Sequence, residues 1–177
     1  MTRYQLSHEN WVTKQPDDVR FSVGSADSQN PDYLEYMAWL AAGNIPDPPS
    51  AEHRAIIRER LHAARRAART AAETSGFVYN GHPFDSDRDS ILRIANAATT
   101  ALTANLVGAP FATEWHCADG YDMPLDAAGV MAMQGALAAH GQACHDRSSA
   151  LRAMIEDPEA DLDALAEEIK TGWPGEG

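Results

Sequence analysis

The chain is poor in most of the features that mark an enzyme or a membrane protein. No apolar run approaches the length a membrane-crossing helix needs. Residues 1–10 carry no charged-then-apolar pattern, so no export signal is expected. Cys117 and Cys144 are the only cysteines, too few for a disulfide framework, and synthesis in a reducing cytoplasm is the expectation. A Gly-rich phosphate loop, a Gly-x-Ser-x-Gly elbow and a His-Glu-x-x-His pair are all missing. Basic residues number 14 against 26 acidic ones, a formal charge of −12, which argues against a general nucleic-acid binder. No catalytic group and no cofactor is expected.

The little basic charge there is lies mostly in one place. Between residues 50 and 75 stand Arg54, Arg58, Arg60, Arg65, Arg66 and Arg69, opposed only by Glu52, Glu59 and Glu73. That segment carries about +3 and the remainder about −15. Its Ala and Arg content predicts a long helix, with a thin apolar stripe of Ile56, Ile57, Leu61, Ala64, Ala68 and Ala71. So narrow a face needs a neighbour, either the C-terminal region or a second copy. Its arginines read in two ways, as a solvated face turned to water or to the acidic body, or as a docking helix for an acidic partner.

Ahead of it, residues 1–29 read as irregular or weakly extended, with Tyr4, Leu6, Trp11, Val12, Phe21 and Val23 as anchors for another chain. Residues 30–43 read as a complete short helix. Asn30 caps it, Pro31 fits the first position where its missing N–H costs nothing, and Gly43 ends it. Pro46, Pro48 and Pro49 then predict a stiff linker.

From residue 76 the pattern becomes α+β. Phe77 and Tyr79 alternate ahead of Asn80-Gly81, a type I′ turn signal, and Phe84 closes the return strand. Ser86 is expected to cap the next helix, which runs to Val107 and buries Ile91, Ala95, Ala98, Leu102 and Leu106. A second strand pair, residues 111–117 and 121–125, turns at Asp119-Gly120. Asp126 caps a long helix carrying the seam Val130, Met133, Leu137, His140, Cys144, Arg147, Leu151 and Met154. A last helix over residues 160–170 turns Leu162, Leu165 and Ile169 inward and stops at Gly172-Trp173-Pro174. The expected architecture is helix-rich α+β: two short hairpins packed on three helices, the hairpins forming a small sheet, preceded by a long Arg/Ala-rich helix and a short leader helix. The expected divisions are residues 1–49, 50–75, 76–174 and a tail of 175–177.

Residues 76–174, with their aromatic-Asn-Gly-His-Pro-aromatic opening and Gly-Trp-Pro close, resemble a small domain of unknown function from tail-fibre gene clusters of tailed bacteriophages. Residues 30–44 are similar to the leader helix of phage tail-fibre and fibre-assembly proteins. The resemblance implies a phage tail and no particular chemistry. It implies partners among tail-fibre or tail-tip proteins, made in the host cytoplasm during assembly or retained in the virion tail.

Two kinds of site are open. His116, Cys117, His140 and Cys144 are the candidate zinc ligands, since His140 and Cys144 lie four apart on one helix face. Against them stands the simpler reading of His140 and Cys144 as seam residues. Asp85, Asp87 and Asp89 lack the Gly and Glu of a calcium loop and read as a helix N-terminus. Glu114, Asp119 and Asp122 read as turn residues. The candidate partner-binding residues are Tyr33, Tyr36, Met37, Trp39 and Leu40 of the leader, and Ile56, Ile57 and Leu61 of the long helix. The expected role is a non-enzymatic tail accessory protein, a homo-oligomer or hetero-complex that binds neither nucleic acid nor membrane. A permanent structural adaptor of the tail or baseplate is the alternative, and a small tail-associated hydrolase the remote one.

Overall fold

The computed structural model describes residues 2–7, 11–23 and 29–175. It is α+β and helix-rich, and it divides into two compact units, Met1–Arg60 and Leu61–Gly177. The division falls inside one continuous helix. Among the described residues no helix is long and apolar enough to cross a membrane.

In the first unit, β1 (Arg3–Leu6), β2 (Trp11–Gln15) and β3 (Val19–Ser22) form an antiparallel sheet in that order. Of the expected irregular or weakly extended segment the extended alternative holds, and the expectation that its anchors pair with another chain is corrected. The backbone groups pair with each other, Tyr4 opposite Lys14 and Val12 opposite Phe21. Alternation places Tyr4, Val12 and Phe21 on one buried face. Helix α1 (Pro31–Ala41) covers that face, capped by Asn30, whose side chain accepts from the Asp32 N–H. Tyr4 meets Tyr36 and Trp39 at ring-centroid distances of 5.0 Å each. Lys14 reaches the helix's Asp32 and Glu35. The proline-rich segment is held too: Asp47 exchanges backbone bonds with Leu6 and Tyr4 of β1.

Helix α2 (Ala51–Glu73) runs on into the second unit. There β4 (Phe77–Tyr79) and β5 (His82–Phe84) form the expected hairpin, with positive φ at both Asn80 and Gly81. Helix α3 (Arg88–Val107) follows, then the hairpin β6 (Ala112–His116) and β7 (Asp122–Asp126), helix α4 (Ala127–Glu156) and helix α5 (Leu162–Glu168). The two hairpins stay separate two-stranded sheets rather than one small sheet. Ala118 N–H donates to the Pro83 carbonyl at 2.9 Å, and His82 stacks on Tyr121 with centroids 4.2 Å apart. Phe77, Phe84, Ile94, Ala98, Ala101, Cys117, Met123, Leu125, Val130 and Met133 share one core.

Two expectations for α3 are corrected. Its cap is Asp87, which accepts from the Asp89 and Ser90 N–H groups. Ser86 instead is fully buried, its hydroxyl donating to the Glu73 carbonyl at 2.7 Å and accepting from Gly76 N–H at 2.9 Å. The buried face of α3 is Ser90, Ile94, Ala98 and Ala101, turned away from the large residues of the expected stripe. Small side chains let α3 approach α4 closely, and that leaves the leucines outside. On α4 the seam holds through Val130, Met133, Cys144 and Leu151, then drifts to Ile155, leaving Met154 exposed. Arg147 is no seam residue. Its guanidinium donates to the Glu168 and Thr171 carbonyls and to the Glu168 carboxylate, closing the end of α5.

Gly76 has φ +100, and a Cβ there would stand 2.8 Å from the Phe84 carbonyl oxygen. Gly76→Ala should therefore destabilise the chain by about 2 kcal/mol or more. Ser86→Ala, which strands two backbone groups, should cost about 1–3 kcal/mol. Chemical denaturation checks both, and a midpoint unchanged in Gly76→Ala would refute the strain argument.

Candidate functional site

The four candidate zinc ligands fall in two places. His116 ends β6 with its side chain 74% exposed and its Nδ1 2.6 Å from Asp122 Oδ1. Cys117 is buried in the shared core. On α4, His140 Nε2 lies 3.0 Å from the Ala72 carbonyl, which can only accept, so that nitrogen carries the proton and is spent as a donor. Cys144 Sγ sits 3.7 Å from the same nitrogen. Among the described residues no three His, Cys, Asp or Glu side chains converge to hold a metal ion. The metal candidate is thus corrected: His140 ties α4 to the end of α2, and the two cysteines are small core residues.

A cleft of about 540 Å³ opens between the first turns of α3 and strand β6 and is lined by residues that include Asp85, Ser90, Arg93, Glu114, Trp115 and His116. Its polar groups serve the fold. Ser90 donates to Asp87 Oδ2 and accepts from Arg93. These bonds to Ser90, with the backbone bonds at the cap, hold the Asp87 carboxyl below the usual range. Asp119 is likewise lowered, chiefly by His82, whose Nδ1 lies 2.8 Å away. The three alternating aspartates are the start of a helix, as their spacing predicts.

The partner candidates divide by burial. Tyr36, Ile57 and Leu61 are buried, and Tyr33, Trp39 and Leu40 pack on the aromatic core of the first unit. For these the expectation of a free docking face is corrected: the N-terminal sheet supplies the partner of the leader residues, and Ile57 and Leu61 are buried on α2. Met37 and Ile56 stay exposed.

A different surface takes their place. Ile91, Leu92, Leu102, Leu106 and Val107 of α3 are all exposed, Leu106 to 78%. Ile91, Ala95, Leu102 and Leu106 recur at helical spacing and form one apolar stripe along most of the helix. The sequence pattern marks this stripe, together with Ala98, as buried, and of its members only Ala98 is. Periodicity identifies an apolar face and does not say whether the chain itself covers it.

Burial pushes both thiols up, that of Cys117 with help from Asp119 and Asp122, that of Cys144 with help from Glu73. In the unfolded chain each titrates near about 8.5, so above that pH the unfolded state loses protons first. Stability from this source is complete below pH ~8.5 and falls as pH rises through and beyond it. Neither thiol should react with an aromatic disulfide reagent in the native protein at pH 8, and both should react on unfolding. Prompt native labelling of Cys144 would contradict its burial.

Searches of curated proteins and of solved structures find no match to the chain. A family model does match, covering residues 56–170 from within α2 to just beyond α5, nearly two-thirds of the chain. That span holds both hairpins and the helices packed on them, and on it the chain belongs to the family described as domain of unknown function DUF4376.

Proposed function

We propose that this chain is a non-enzymatic accessory protein of a bacteriophage tail that binds the tail fibre or tail tip and supports its assembly or attachment. The observation that carries the interaction role is the α3 stripe. A small domain seldom leaves a contiguous apolar face of this kind in water unless it is an interface. The leader-helix and hairpin resemblances supply the tail context, and the partner is accordingly a fibre or tail-tip protein met in the host cytoplasm during assembly. The leader contributes stability to its own unit, with Met37 and Leu34 as the side chains it leaves outward. A permanent adaptor uses the same surface, and the presence of the protein in purified mature particles separates that reading from a transient factor. A hydrolase draws no support from the main cleft, where Ser90 is engaged by Asp87 and Cys117 is buried.

Leu102→Glu combined with Leu106→Glu tests the stripe. Both side chains are exposed, so the fold and its thermal midpoint should change little. Co-purification with the tail-fibre product of the same genome should weaken by about 30-fold or more, the scale of an interface hot spot. Met37→Glu on α1 should leave binding near wild type. Full-strength capture by the double variant would remove α3 from the interface.

A further inference from the structure

A second surface of the same unit, independent of the stripe, carries a ligand chemistry of its own. Between α2 and α4 lies a groove of about 420 Å³ lined by His62, Arg65, Arg66, Arg69, His145, Ser148, Ser149, Arg152 and Glu156. Four guanidinium groups meet there, three from one helix and one from the other, in a chain whose formal charge is −12. The carboxylates within reach are few and already used at the edges. Glu73 takes Arg69 at 2.8 Å and Glu156 takes Arg152 at 2.7 Å.

Arg65 is the centre of the arrangement. Its Nη1 donates to the Ser148 hydroxyl at 2.7 Å and the Ser148 carbonyl at 3.2 Å, so the side chain is fixed across the groove. Both acceptors are neutral. Its Nε is buried and finds no hydrogen-bond partner among the described residues. Burial, then the nearby Arg66, Arg152 and Arg69, push its pKa down, and the Glu156 carboxylate opposes them only in part. Arg147 gives the contrast within the same fold. It also crosses from α4 to another element, but it ends on the Glu168 carboxylate at 2.7 Å and two carbonyls. Both arginines are half-buried and each leaves its Nε without a partner among the described residues, but only Arg147 ends on a carboxylate.

We propose that the α2–α4 groove is a binding site for a dianionic tetrahedral oxyanion, a phosphate group, held by Arg65, Arg66, Arg69 and Arg152 with the Ser149 hydroxyl. A tetrahedral dianion accepts bonds from several directions at once, which suits guanidinium groups converging from two helices. A single carboxylate offers one charge in one plane. A long phosphodiester strand is disfavoured, because the rest of the chain repels a polyanion. The ligand is therefore a compact phosphate, either free or borne on a partner's side chain.

Titration calorimetry and thermal unfolding of the full chain at constant ionic strength test this, with inorganic phosphate and O-phosphoserine as the two probes. Saturable 1:1 binding with a raised unfolding midpoint is expected, and the tighter of the two probes names the source. Arg66→Gln and Arg152→Gln, both at exposed positions, should each weaken binding by about tenfold or more. Arg88→Gln on α3, outside the groove, should leave it unchanged. Absence of saturable binding and of stabilisation up to about 50 mM of either probe overturns the proposal. So does equal affinity in the two groove variants, and so does binding of an acidic carboxylate peptide in place of phosphate.

Discussion

One buried hydroxyl sets the geometry of the second unit. Ser86 receives the N–H of Gly76 and gives its proton to the carbonyl of Glu73, so three chain segments share a single side chain. The end of α2 leaves a carbonyl without an intrahelical partner, and the hairpin entry leaves an amide. Both would be costly to bury unpaired. Because Ser86 answers both, the helix can end against the hairpin with only residues 74–76 between them, and α3 can start just after Ser86, on Asp87. Gly76 is the corollary. Its positive φ brings the backbone close to Phe84, a position that a side chain cannot share. His140 reinforces the same corner from α4 through Ala72.

With the corner fixed, the packing of α3 on α4 decides what faces outward. A helix pair can bury large side chains at a wide separation or small ones at a close separation. Here α3 contributes Ser90, Ile94, Ala98 and Ala101 to the contact and keeps Ile91, Leu102 and Leu106 for the outside. The hydrophobic core is completed instead by the hairpins, whose Phe77, Phe84, Met123 and Leu125 fill the space beneath. A monomer optimised only for stability would turn α3 the other way. Its orientation is intelligible if burial on the outer face occurs in a complex, which is the physical basis of the interaction role proposed for the chain.

Much of this was legible in the sequence. The type I′ turn at Asn80-Gly81 and the Asp126 cap each rest on a local rule that tertiary context does not reverse, whereas the last helix ends at Ile169, ahead of the expected Gly172 cap. The N-terminal sheet was not legible, because strands of four or five residues have too few alternations to separate them from irregular chain. Missing it also misplaced the leader, whose Tyr36 and Trp39 seemed to need an outside partner and found Tyr4 and Phe21 within their own unit. The Ser86 error has a similar origin. A serine three residues before an acid fits a capping box, but the adjacent Asp87 is an equally good cap, and the buried backbone groups of Glu73 and Gly76 had the stronger claim on the hydroxyl. For the metal candidates, i to i+4 spacing put His140 and Cys144 together as expected. It could not reveal that a backbone carbonyl already occupied the histidine.

Charge follows the same logic as apolar surface. In the second unit Arg147 and Arg152 have carboxylates close by, and Arg69 pairs along its own helix. These arginines are balanced locally, so their contribution to stability is that of ordinary partly exposed ion pairs. Arg65 is different because its partners are a hydroxyl and a carbonyl, and neutral dipoles solvate a guanidinium without cancelling its field. Its charge stands beside that of Arg66 and the ion-paired Arg69 and Arg152 in the groove between α2 and α4. A chain with 26 acidic residues has ample carboxylate to neutralise the groove from within. The fold brings only Glu156 into its lining, with Glu73 paired to Arg69, against four arginines, so the positive groove is a property of the architecture and not of composition. An apolar stripe on α3 and a cationic groove between α2 and α4 thus give one small domain two surfaces of different chemistry, and the two proposed interactions rest one on each.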